Sequence, residues 1–185
     1  MMSPALRRLL GYSCAILTIA ISYYVYVLTA HPPSPMQETF LSEVGEGIGE
    51  IALWAFVAIY IRTLAKIALG KGPISRRLLP DYAPQVNGSL IQRILSFLDR
   101  SHVFLGIAAV ALVLLHIALM GLHAEIWFFP VILALVLWQA GFGFFLSWRQ
   151  VPKNLKRWSY FVHAQLITGV AIGIFAYFGH LLLDD

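Results

Sequence analysis

Five long apolar segments are the feature that most restricts how this chain of 185 residues can fold. A helix rises about 1.5 Å per residue, so roughly 20 apolar residues cross the hydrocarbon core of a bilayer. Runs of this length occupy 9–29, 48–69, 102–122, 126–148 and 158–183. Their apolarity is continuous rather than alternating, which favours helices over the strands of a membrane barrel. The sequence therefore predicts an all-α integral membrane protein.

We expect one five-helix transmembrane bundle over residues 1–185, with no soluble domain. Hydrophobic residues make up 59% of the chain and charged residues only 12%, about half the charged share of a soluble domain. Arg7 and Arg8 precede the first segment as in a secretory signal, but the apolar run continues to Ala30 and is too long for one. We expect this segment to be retained. Cys14 is the only cysteine, which excludes an internal disulfide and a thiolate metal cluster.

The basic residues predict the orientation in the membrane. With five crossings, all 13 lysines and arginines fall on one side, and the positive-inside rule makes that side cytoplasmic. They are Arg7, Arg8, Arg62, Lys66, Lys71, Arg76, Arg77, Arg93, Arg100, Arg149, Lys153, Lys156 and Arg157. The N-terminus is then cytoplasmic and the C-terminus outside. Because these charges flank apolar spans, we expect them to set the orientation of the spans and to contact anionic lipid headgroups. We therefore expect no nucleic-acid binding.

The stretch before the third segment has its own pattern. Apolar residues recur at helical spacing over 89–100 and predict an amphipathic helix on the inner membrane surface. Glu46 and Glu50 lie one turn apart at the predicted outer end of the second segment. They either relay protons, which would matter in quinol oxidation, or favour a helix N-terminus. We find no internal repeat.

Four histidines lie in the apolar segments: His102 and His116 in the third, His163 and His180 in the fifth. An ionisable side chain at membrane depth is costly, so four in two segments indicate ligands. Imidazoles from two helices bind the iron of haem b from either face. Both segments run from inside to outside, so we expect His102 with His163 at an inner haem and His116 with His180 at an outer one. Two haems are expected, and one is the smaller alternative.

The spacing within each segment bears on this arrangement. His102 and His116 are 14 residues apart, about 21 Å and about 40° around the helix, so they share a face. His163 and His180 are 17 apart and about 100° from a common face. Helix tilt, a ligand near the helix end, or widening of the helix could absorb this mismatch. The candidate places for widening are Gly169, Gly173 and Gly179.

Three further residues are candidates for the same site. His123 lies seven residues beyond His116 on the same helical stripe and is the alternative outer ligand. Arg100 and Arg157 are cofactor-binding candidates, because guanidinium groups pair with carboxylates such as haem propionates. Anchoring in the membrane interface is their default role.

The residues Arg100-Ser101-His102, His116 after thirteen intervening positions, and Lys156-Arg157-Trp158 before His163 resemble a known family. Over about 46–183 the chain resembles the ferric-reductase-like transmembrane haem b domain, which includes NADPH oxidases and the membrane haem subunit of bacterial methionine sulfoxide reductase systems. A five-span dihaem subunit, like the membrane anchor of respiratory nitrate reductase, is a close rival.

The resemblance implies a b-type dihaem cytochrome that transfers electrons across or within a membrane. It would be a subunit of an oxidoreductase complex rather than a complete enzyme, in a bacterial inner membrane. Its redox partner would be a flavoprotein, another cytochrome or a quinone. The sequence contains no recognisable nucleophile, phosphate-binding loop or cysteine cluster, so no catalytic residue is assigned.

Two other classes of function stay open. A haem-free structural or assembly subunit would keep the five spans and use its histidines as interface residues. A metal transporter would use them as transient imidazole ligands for zinc or copper.

Overall fold

The protein is mainly helical in the part of the chain that the structure describes. A computed structural model describes residues 2–30, 39–82, 84 and 88–184. Its helices are α1 (Pro4–Ala30), α2 (Phe40–Ala68), α3 (Gly72–Leu78), α4 (Ser89–Met120), α5 (Phe128–Ser147), α6 (Lys153–His163) and α7 (Leu166–Asp184). No strand occurs among these residues, and five helices (α1, α2, α4, α5 and α7) are long and apolar enough to cross a membrane. The predicted all-α class with five such helices is confirmed.

The helices group into two compact units, of which the first comprises the described residues up to Arg8 together with Leu41–Met120. An ion-pair cluster links α2 and α4 within this unit. One carboxylate oxygen of Asp99 on α4 lies 2.7 Å from Arg62 Nε and 2.6 Å from Lys66 Nζ, both on α2. The link joins the last turns of α2 to the first half of α4, and all three side chains are partly exposed.

The second unit comprises the described residues of Leu9–Phe40 and Gly121–Asp185. Its buried apolar core consists of Ala20, Val27, Ile126, Phe128, Ala171, Phe175 and Leu182. The rings of Phe128 and Phe175 stack with centroids 5.4 Å apart, and Tyr23 meets Phe128 edge-on at 4.9 Å. Aromatic contacts of this geometry add to the free energy gained by burial, so they fix α5 and α7 against the end of α1.

The segment predicted as one fifth span, 158–183, is divided into α6 and α7 by Ala164 and Gln165. The last turn of α6 tightens, because Gln165 N–H donates to the carbonyl of Val162, 3.2 Å away and only three residues earlier. The two helices also differ in character: α6 exposes a basic and aromatic face, whereas α7 is predominantly apolar. A helix lying along an interface and one crossing hydrocarbon need these different surfaces.

The other predicted boundaries differ less. The amphipathic helix over 89–100 and the third span over 102–122 form the single helix α4, which ends at Met120. The left-handed backbone of Gly121, with φ +86°, ends this helix.

The second span also begins earlier than predicted, since α2 starts at Phe40. Glu43 is the acidic residue in its first turn. The alternative that placed Glu46 and Glu50 at the helix N-terminus is therefore wrong, because both lie beyond the first turn.

Candidate functional site

His116 of α4 is bound to the backbone of α2 within the first unit. Its Nδ1 lies 2.8 Å from the carbonyl oxygen of Gly45. A carbonyl oxygen only accepts, so Nδ1 carries the hydrogen and donates it. The same ring packs against Gly49, where a Cβ would lie 2.7 Å from Nδ1 and 2.8 Å from Cε1 of His116. The half-buried imidazole thus lies on α2 only because residue 49 has no side chain.

His163 repeats this arrangement within the second unit. At the end of α6, its Nδ1 donates to the carbonyl oxygen of Gln139 on α5, 2.9 Å away. Its ring packs against Gly143, where a Cβ would lie 2.9 Å from Cε1 and 3.2 Å from Nδ1 of the imidazole. The neighbouring helix again supplies a carbonyl and, one turn later, a glycine.

The two segments that supply these carbonyls have the same spacing of glycines, a pattern not predicted above. In Gly45-Glu-Gly-Ile-Gly49 and Gln139-Ala-Gly-Phe-Gly143, the carbonyl residue is followed by glycine at the second and fourth positions. The glycine at the fourth position contacts the imidazole in each case, while Gly47 and Gly141 have nothing within 4 Å of a built Cβ. We name this five-residue element the glycine cradle. Its sequence signal is a Gly-x-Gly pair inside each of two apolar spans.

His102 lies half-buried on α4. Because α4 is one continuous helix from Ser89 to Met120, the geometry assumed for the 14-residue spacing of His102 and His116 holds. The structure thus places both residues on one helix, and their shared role as ligands stays a prediction.

His180 lies on α7, and its Nδ1 donates to the carbonyl oxygen of Ala176 in the preceding turn, 2.8 Å away. Its ring meets Phe129 edge-on at a centroid distance of 5.6 Å. The helix is regular α-helix through Gly169, Gly173 and Gly179, so widening, one of the three ways offered to absorb the mismatch, does not occur at these positions. The interruption at residues 164 and 165 instead removes the single helix on which the 17-residue mismatch depended.

His123 does not continue the stripe of His116, and that prediction is wrong. Because Gly121 ends α4, His123 lies in the following loop, with its own φ at +45°. Its Nδ1 is 3.1 Å from Oε1 of Glu125. The backbone N–H of Glu125, and then the His123 ring, hold the pKa of the Glu125 carboxyl below its usual range. These contacts pair the side chains of His123 and Glu125 within the loop.

The two predicted arginines are both exposed. Arg100 lies on α4, and Arg157 lies on α6. Arg157 lines an open surface cavity of about 400 Å³ together with Asn154, Trp158 and Phe161. The predicted pairing of these arginines with propionates stays a prediction.

The described residues contain no group of three or more histidine, cysteine, aspartate or glutamate side chains placed to hold a metal ion. Haem needs no such group, because the porphyrin supplies four of the iron ligands and the protein only the axial ones. Single imidazoles with fixed ring orientation are the donor set that this cofactor uses.

Comparisons of the chain with protein-family models, with curated proteins and with solved structures find no match.

Proposed function

We propose that this protein is a b-type cytochrome subunit that binds haem through histidine imidazoles and transfers electrons across or within a membrane. The observation that supports it best is the pair of hydrogen bonds from His116 and His163 to backbone carbonyls on neighbouring helices. Histidines that ligate a metal through one ring nitrogen almost always donate the other N–H to a carbonyl, a carboxylate or water. With the hydrogen on Nδ1, the neutral ring has its lone pair on Nε2, the nitrogen that would face iron.

The ligands in this proposal are His102, His116, His163 and His180. Three of them have Nδ1 bonded to a main-chain carbonyl: His116, His163 and, within its own helix, His180. The predicted inner pair contains His163 and the predicted outer pair contains His116. Each predicted pair thus includes one imidazole that would hold haem and whose tautomer and ring plane are set by another helix.

Bound haem would supply reversible one-electron chemistry at its iron. The protein would hold the porphyrin in place, keep water away from it and set the basicity of the histidine ligands. Apolar helices provide the low-polarity surroundings, and the Nδ1–H···O=C bonds increase the electron density on the imidazole. Electrons would be exchanged with a flavoprotein, another cytochrome or a quinone.

We further propose that the N-terminus is cytoplasmic, the C-terminus outside and the membrane a bacterial inner membrane. The distribution of the basic residues supports this orientation. Lys153, Lys156 and Arg157 of α6 are all exposed, as expected for an interfacial helix on the side with anionic headgroups.

The test is a reduced-minus-oxidised absorption spectrum of the purified full chain, with haem quantified as its pyridine adduct. We expect about two haem b per chain, one fewer in His116→Ala and in His163→Ala, and neither in the double variant. His123→Ala is the matched control, since that side chain pairs with Glu125 in a loop, and it should keep the haem content of the original protein.

A purified, folded protein without a b-type spectrum would overturn the proposal. Metal analysis then separates the remaining classes. Zinc or copper without iron would indicate a transporter, and no metal would indicate a structural or assembly subunit.

A further inference from the structure

We propose that Gly49 and Gly143 are positioning residues, each of which fixes the tautomer and ring plane of an imidazole ligand on another helix. Their role toward haem rests on the function proposed above. Their role toward the histidine side chains follows from the geometry of each unit by itself. In both cases the imidazole occupies the space that a Cβ would fill.

The cradle works because of how side chains lie on a helix. Every Cα–Cβ bond tilts toward the helix N-terminus, so a side chain at position n+4 covers the backbone one turn before it. A glycine at n+4 uncovers the carbonyl at n. That carbonyl already accepts the helical N–H of residue n+4, and its second lone pair accepts the imidazole N–H. Gly49 uncovers Gly45 in this way, and Gly143 uncovers Gln139.

The clash that alanine would introduce falls on the hydrogen-bonding ring itself. At position 49 the nearest atoms are Nδ1 and Cε1 of His116, at 2.7 and 2.8 Å. At position 143 the nearest is Cε1 of His163, at 2.9 Å. Separations this short require the ring to move, and any movement away from the helix lengthens the bond from Nδ1 to the carbonyl.

Each helix also contains an internal control. Gly47 and Gly141 precede the positioning glycines by two residues and so project from the opposite side of the helix. A Cβ at either position has nothing within 4 Å. Alanine there makes the same chemical change in the same helix without touching the histidine.

The cradle would affect the iron of a bound haem. A hydrogen bond from Nδ1–H to a carbonyl makes the imidazole a stronger electron donor, which favours ferric iron. Loss of the bond should therefore weaken haem binding and move the midpoint potential to a more positive value. Removal of second-shell partners of metal ligands typically lowers affinity about 10–100-fold.

The experiment compares Gly49→Ala, Gly143→Ala, Gly47→Ala and Gly141→Ala in the full chain, purified in detergent. We expect the first two to lose haem affinity by about 10-fold or more and to raise the midpoint potential. The second two should match the original protein in both measurements. If all four alanine variants behave alike, or if Gly49→Ala and Gly143→Ala keep the original affinity and potential, the inference is wrong.

A second measurement needs no haem and remains valid if Gly49→Ala folds poorly. Truncation of His116 should relieve the clash, so Gly49→Ala/His116→Ala should reach the yield and thermal stability of His116→Ala alone. Gly143→Ala/His163→Ala should likewise match His163→Ala. Alanine effects that persist unchanged in these double variants would contradict the inference. Absence of haem from the original protein would contradict only the proposed function, because the double variants still report on the cradle.

Discussion

His163 is the last residue of α6, and its Nδ1 is hydrogen-bonded to the carbonyl oxygen of Gln139 on α5, 2.9 Å away. The position of this imidazole is thus set by α5 rather than by α7, which begins only at Leu166. A histidine placed after a helix break does not have to obey the angular spacing of the following helix. The rotation between His163 and His180 that a continuous helix would impose is therefore absent.

The hydrogen bond predicts a definite protonation pattern for the haem-free protein. In both His116 and His163 the hydrogen should be on Nδ1, because a carbonyl faces that atom. Nitrogen-15 NMR of histidine-labelled protein distinguishes the two ring nitrogens directly. Gly143→Ala should reduce the Nδ1–H population of His163 and leave that of His116 unchanged. A predominant Nε2–H form at both residues in the original protein would show that these bonds do not form.

Asp99 should contribute measurably to the stability of the first unit. Its Oδ1 is shared by Arg62 and Lys66, so Asp99→Asn removes the carboxylate and leaves two neighbouring cations. Because all three side chains are partly exposed, we expect a loss of only about 1 kcal/mol in the free energy of unfolding. Thermal unfolding in detergent at low and high salt checks this value, and the loss should shrink as salt is added. Asp81→Asn, at an exposed position, is the control; an equal effect there would remove the cluster as the cause.

The long spans could be predicted from the sequence because the transfer of apolar side chains into lipid depends mainly on local composition. All five appear as helices near their predicted positions, apart from the earlier start of α2, the fusion of the third span with the preceding amphipathic helix in α4, and the division of the last. That division had no glycine or proline to mark it. Ala164 and Gln165 are ordinary helix residues, and what distinguishes the position in the structure is the hydrogen bond of the preceding His163 to α5.

The end of α4, in contrast, has a signal in the sequence, because Gly121 directly after Met120 is a typical helix stop. The prediction for His123 did not take this glycine into account. The ligand histidines could be proposed from their unusual place in apolar segments. The glycine cradles could not be, because only packing decides which of several glycines faces an imidazole. The Gly-x-Gly pairs are visible in the sequence, but nothing local distinguishes Gly49 from Gly47.

Gly121 itself should tolerate substitution poorly. With φ at +86° it has a backbone conformation that L-residues adopt at a cost of about 1–2 kcal/mol, so Gly121→Ala should lower the free energy of unfolding by about that amount. Gly106→Ala is the matched control, because Gly106 lies within α4, where a Cβ meets nothing within 4 Å. That variant should be stabilised by about 0.5–1 kcal/mol, since alanine is the better helix former. Equal effects in urea or thermal unfolding would mean that α4 does not end at this glycine.

The loop pair after α4 should make stability depend on acid pH. The pKa of Glu125 is below its usual range in the folded protein, so its carboxylate favours the folded state at pH values above the unfolded pKa, about 4.3. This contribution is lost as the pH falls through the lowered folded pKa. Glu125→Gln should remove the dependence, and His123→Ala should remove only part of it, because the Glu125 backbone N–H is the larger cause. Carboxyl titration by NMR checks both; a Glu125 pKa unchanged in His123→Ala would exclude the ring as a contributor.

The orientation of the spans gives the last prediction. If all five candidate spans cross, the two termini lie on opposite sides, and the proposed orientation puts the N-terminus in the cytoplasm. Alkaline phosphatase, which is active only outside, should be active when fused after residue 185 and inactive when fused within 148–152. Green fluorescent protein, which fluoresces only inside, should give the reverse pattern at the same two points. If both fusions report the same side, α7 does not cross, and the single interruption at residues 164 and 165 would then separate two helices that stay on one face of the membrane. His180 would then not lie toward the outer face, and its proposed pairing with His116 would be wrong.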